Sequence, residues 1–134
     1  VDSIRRLDVE LRSAIATVAS RHELDEDWLN DRATMFTPAT FAVERCAVLF
    51  DHPRLLVLGA PLRDVFVMKL YRAEANDVAD MRVIWPHIAQ DFRTGSEVAA
   101  RFFEAFPHAP DDEFLASFIS NDIAATTDHP LPER

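Results

Sequence analysis

Lys69 is the only lysine in the chain, set among thirteen arginines. It falls seven residues after Leu62 and three after Phe66, so on a helix it shares their apolar face rather than the face of Arg63 or Asp64. An ammonium so placed either reaches solvent along its aliphatic stem or finds an anion. Its compact point charge suits a phosphate. Asp77 and Asp80 stand three residues apart, which puts both carboxylates on one side of a helix. If the two helices form a hairpin, Asp80 approaches Lys69 and either orients it or contacts a metal-bound triphosphate. The plainer alternative makes Asp77 a helix-start residue and pairs Asp80 with a surface arginine such as Arg72.

Other reactive residue types carry less. His22, His52, His87, His108 and His129 show no metal-ligand spacing, and no pair stands at i, i+4. Cys46 is the single cysteine, which rules out an intrachain disulfide and a multi-thiolate metal site, fits a reducing compartment and reads as a buried apolar thiol. Neither a G-x-S-x-G elbow nor an S-x-x-K pair is present. Gly59 and Gly95 are the only glycines, too few for a phosphate-cradling Walker or Rossmann loop.

The elements that must hold these residues are mostly helices. Ile4, Leu7, Leu11, Ile15 and Val18 recur at three- and four-residue steps, giving an amphipathic helix at least from Asp8 to Ser20, with Ser3 or Asp8 as its cap. Leu24 to Asn30 adds one helical turn, and Thr37-Pro38 breaks the chain out of helix. Ala42 to Phe50 and Arg54 to Leu58 read as two antiparallel strands around an Asp51-His52-Pro53 turn. Pro61 opens a helix running to about Ala73, and Asn76 caps another that Pro86 stops near Trp85. Thr94 and Glu97 have the spacing of a capping box ahead of Val98, Phe102 and Phe106. Asp111 opens the last helix, and residues 126–134 are expected to fray.

With 134 residues, 49% of them hydrophobic and 28% charged, the chain is long and apolar enough for one core, and a single domain is expected over 1–125. A formal charge of −9 repels phosphate backbones, so non-specific nucleic-acid binding is disfavoured. No apolar run reaches the ~20 residues a membrane helix requires, and the N-terminus does not read as a signal peptide. The cytoplasm is the default location. The phenylalanines clustered from Phe92 to Phe118 serve a core, or a face used for dimerisation or a partner.

Several stretches in order resemble bacterial nucleotidyltransferase-like proteins related to the AbiEii abortive-infection toxins. They are Asp27-Trp-Leu-Asn-Asp31, Leu55-Leu-Val-Leu-Gly-Ala-Pro61, Met68-Lys-Leu70 and Asn76-Asp77-Val-Ala-Asp80-Met81. The resemblance implies a Gly-Gly or Gly-Ser phosphate turn, an Asp-x-Asp pair for magnesium, and a later lysine and aspartate that complete a site for a nucleoside triphosphate. By it, Lys69 is the lysine, Asp80 the later aspartate with Asp77 second, and Asp2 a surviving metal ligand, because Val1-Asp2 matches the end of Asp-Val-Asp. Neither the glycine turn nor a complete Asp-x-Asp stands ahead of the first helix, where the resemblance places them. A single carboxylate holds magnesium weakly, so little or no transferase activity is expected of this chain alone. The expected fold is α+β, helix-rich around a small antiparallel sheet, a partial nucleotidyltransferase fold. Its role is nucleotidyl transfer to an RNA or protein acceptor, or else a non-catalytic interaction module that uses its aromatic face. An apolar sheet edge left open would favour a homodimer.

Overall fold

A computed structural model describes all residues from Val1 to Arg134. The chain forms two compact units, Val1–Thr37 and Pro38–Arg134. Helices dominate, with one two-stranded antiparallel sheet, so the fold is α+β.

The first unit is built on α1, Val9–His22. Asp8 caps it, its carboxylate accepting from the Leu11 amide at 2.8 Å, and Ile15 and Ala19 form its buried stripe. The helical turn expected over Leu24 to Asn30 does not form. There the chain folds back so that the Trp28 indole donates to the Ile15 carbonyl at 3.1 Å, and Asn30 bridges in parallel to Asp2. Asp31 then ties the unit together by accepting from the Leu7 amide at 3.1 Å and from Arg12 at 2.8 Å. The Leu7 amide, ahead of the Arg12 charge, holds the Asp31 carboxyl below the usual carboxylate range. A short 3-10 turn, Arg32–Phe36, closes the unit.

The second unit opens with the hairpin β1, Ala47–His52, and β2, Leu55–Gly59. β1 starts five residues later than expected, because Val43–Arg45 close a 3-10 turn in which the Arg45 guanidinium donates to the Thr40 carbonyl. A bulge between Val48 and Phe50 leaves Leu49 without a cross-strand partner, and its side chain packs beside Gly59. Every residue from Ala47 to Val57 is exposed.

The helices carry the core. α2 spans Leu62–Arg72, with Pro61 in the capping position rather than inside the helix. α3, Ala75–Ile88, starts after Glu74, so Asn76 is not its cap, and it continues through Pro86. The proline removes one backbone donor, but Trp85 and Ile88 are buried and hold the last turn in place. At the start of α4, Gly95–Ala105, half of the expected box forms: Thr94 accepts from the Glu97 amide at 3.2 Å, while the Glu97 carboxylate accepts from the Arg93 amide at 2.7 Å instead of from that of Thr94. α5 is regular only over Leu115–Phe118 and then widens into a π turn at Ile119–Ile123, which seats Ile119 and Ile123 in the core. Phe66, Met81, Trp85, Val98 and Ile119 meet at the centre of this helical layer.

The last residues are attached rather than frayed. The carbonyls of Pro132 and Glu133 each accept, at 2.8 Å, from the Gly95 and Ser96 amides, which are orphan donors at the start of α4. The Trp85 indole donates to the His129 carbonyl at 2.8 Å, and Leu131 packs against the core.

Candidate functional site

α2 and α3 are joined by only Ala73 and Glu74, so the second helix folds back along the first. Ala73 adopts a left-handed conformation, φ 49°, that ends α2, and its amide bonds the Lys69 carbonyl. This tight reversal brings Lys69 beside the first turns of α3. Its Nζ lies 2.6 Å from Asp80 Oδ2 and 3.5 Å from Asp77 Oδ1. Sequence spacing is thus realised as a three-dimensional cluster.

The two aspartates differ in kind. Asp77 is buried and receives both Nε and a terminal nitrogen of Arg72 at 2.6 and 2.7 Å, together with the Glu74 amide at 3.2 Å. The Arg72 hydrogen bonds hold its carboxyl below the usual aspartate range; the Glu74 amide and Lys69 act the same way, and burial opposes them. Asp80 is more than half exposed and bonds only the ammonium. Lys69 itself retains 24% side-chain exposure. Arg72 therefore pairs with Asp77, not with Asp80 as the plainer sequence alternative had it.

Chemically, the cluster is a cation supported from below by a fixed carboxylate and from the side by a movable one. Asp80 can swing away and release the ammonium to an incoming anion, whereas Asp77 cannot without breaking the Arg72 fork. A magnesium ion fits these residues poorly. No three His, Cys, Asp or Glu side chains converge as a metal-binding group anywhere in the chain, and the carboxylates beside Lys69 already accept hydrogen bonds from cations. Asp2 lies in the first unit, exposed and bridged to Asn30, and belongs to no acidic cluster.

The aromatic face expected near the C-terminus is largely internal. Phe102 is buried, and Phe92, Phe103, Phe106 and Phe118 are half-buried and packed on the core; Phe114 alone stands out into solvent. Exposed apolar surface is concentrated instead on the hairpin, where Val48, Leu49 and Leu56 are each more than half exposed.

A second polar constellation has no local sequence signature. Asp64, in the first turn of α2, is buried between Arg45 and Arg101, which lie 19 residues before it and 37 after. Nothing in the spacing of these residues announces the grouping; α4 brings Arg101 to α2, and the 3-10 turn at Val43–Arg45 brings Arg45.

Compared with known proteins, the chain matches no family model, no curated protein and no solved structure. No helix is long and apolar enough to cross a membrane.

Proposed function

We propose that the second unit is a nucleotidyltransferase-like module that presents Lys69 to the phosphates of a nucleoside triphosphate and is incapable of transfer by itself. The observation that supports this reading is the 2.6 Å contact between Lys69 and the exposed Asp80 above a carboxylate fixed by Arg72. A lysine held this way is already ordered, so a phosphate that displaces Asp80 meets an oriented ammonium without paying the entropy of immobilising it. Magnesium enters with the nucleotide, as the counter-ion of its triphosphate, since the donor set here does not retain the ion. The acceptor, RNA or protein, is left to the chemistry of whatever completes the site.

Calorimetric titration of Mg-ATP and Mg-GTP tests the reading. Wild-type protein is expected to release binding heat with at least one of them, and Lys69→Ala to weaken that binding about tenfold, the loss of one charge-assisted contact. Equal heats for the two proteins remove Lys69 from the site.

A second reading is favoured by the hairpin: the chain acts as an interaction module that pairs with a second copy of itself. Two strands with apolar residues exposed on both faces and no third strand on either edge form an adhesive surface.

A further inference from the structure

Arg45, Arg63, Arg101, Asp64, Pro61 and Phe92 line a cleft of about 290 Å³ at the start of α2. Three guanidiniums on one small cavity recommend it to an anion, yet a buried carboxylate stands among them. Asp64 is only 2% exposed, and its Oδ2 has no hydrogen-bond partner. Arg45 and Arg101 approach its two oxygens no closer than 4.0 Å, beyond hydrogen-bond range. An orphaned buried acceptor is costly, and the missing partner must be a donor. Arg63 points its charge toward Asp91 at 3.5 Å and remains half exposed.

We propose that this cleft binds inorganic phosphate in its hydrogen-bearing form. Such an ion answers both demands at once. Its unprotonated oxygens accept from the guanidiniums of Arg45, Arg63 and Arg101, whose planar forks suit tetrahedral oxyanions. Its P–OH donates to the Asp64 carboxylate, supplying the partner that Oδ2 lacks. Sulfate has the same shape and charge but no proton at neutral pH, so it sets a lone pair against the carboxylate and is rejected. A phosphomonoester loses its last proton near pH 6 and is rejected on the same ground. Asp64 is thus the specificity-determining residue, and the arginines supply affinity for oxyanions in general. The inference is independent of the Lys69 site, which lies elsewhere on α2 and faces α3.

Isothermal titration of the whole chain with sodium phosphate, sodium sulfate and AMP at pH 7.5, at matched ionic strength, decides the matter. Phosphate is expected to bind at least about tenfold more tightly than sulfate or AMP, the worth of one hydrogen bond to a charged group together with the removal of lone-pair repulsion. Asp64→Asn, checked for folding by circular dichroism, keeps an amide that can donate to either anion, and the preference collapses to within about twofold because sulfate gains. Arg101→Ala weakens both anions about tenfold while leaving their ratio unchanged. Wild-type protein that binds no phosphate, or that binds phosphate and sulfate equally, overturns the proposal without any variant. So does an Asp64→Asn protein, folded, that still prefers phosphate. Loss of nucleotide binding in Lys69→Ala bears on none of these outcomes.

Discussion

Single side chains in this protein owe their behaviour to how many partners they have. Asp77 accepts from a guanidinium fork, a backbone amide and an ammonium, so its replacement leaves several donors unsatisfied at once. Asp77→Asn is expected to lower the unfolding free energy by about 2–3 kcal/mol, read from urea denaturation, whereas Asp80→Asn changes it by under about 1 kcal/mol because that pair is solvent-screened. The same contrast predicts a pH dependence. The Arg72 fork keeps the Asp77 carboxyl below its unfolded value, so its contribution is fully present above the ordinary aspartate pKa and disappears as acid carries the pH down through the lowered one. Wild-type stability should therefore fall more steeply on acidification below the ordinary aspartate range than that of Asp77→Asn, and parallel acid titrations of the two would reveal any equality of slope that contradicts this.

At the level of elements, the amphipathic stripes of α1, α2 and α4 were legible because burial of one helix face leaves a three- and four-residue rhythm in the chain. The reversal between α2 and α3 entered only as a condition under which Asp80 approaches Lys69, beside an alternative that paired Asp80 with Arg72; the left-handed Ala73 decides between them. What escaped were features fixed by contacts distant in sequence. Pro86 signalled a helix end, yet the burial of Trp85 and Ile88 carries α3 past it. The run from Ala42 had strand-like composition, but the Arg45 to Thr40 bond draws its first residues into a turn. Asp64 offered no signal, since both its arginine neighbours arrive from other elements. Close approach of helices is another such feature. A side chain added at Gly95 would come within 2.5 Å of the Ala116 carbonyl oxygen and also strike Ser120. Gly95→Ala therefore forces α4 away from α5, and a loss of about 1–3 kcal/mol is expected in thermal or chemical unfolding. An unchanged midpoint would mean that the two helices part without cost.

For the molecule as a whole, the hairpin sets the question of assembly. Its apolar side chains have no cover within the chain, and a formal charge of −9 spread over the surface opposes only weak or non-specific clustering. Pairing through the hairpin predicts a dimer in sedimentation velocity at tens of micromolar, on the order of ordinary homodimer strengths. It also predicts that Val48→Lys with Leu56→Lys, which puts charge on the exposed strands, yields monomer with unchanged helicity. A wild-type protein that sediments as a monomer, or a double variant that remains dimeric, rules the hairpin out as the contact.

The final residues close the second unit by supplying acceptors to the first amides of α4 and to the Trp85 indole, so the end of the chain is joined to the same helices that enclose its centre. Loss of the Pro132 and Glu133 carbonyls would expose helix amides to water, and loss of His129 would free the indole at the heart of the bundle, so residues 129–133 act as a latch whose release is felt in the interior.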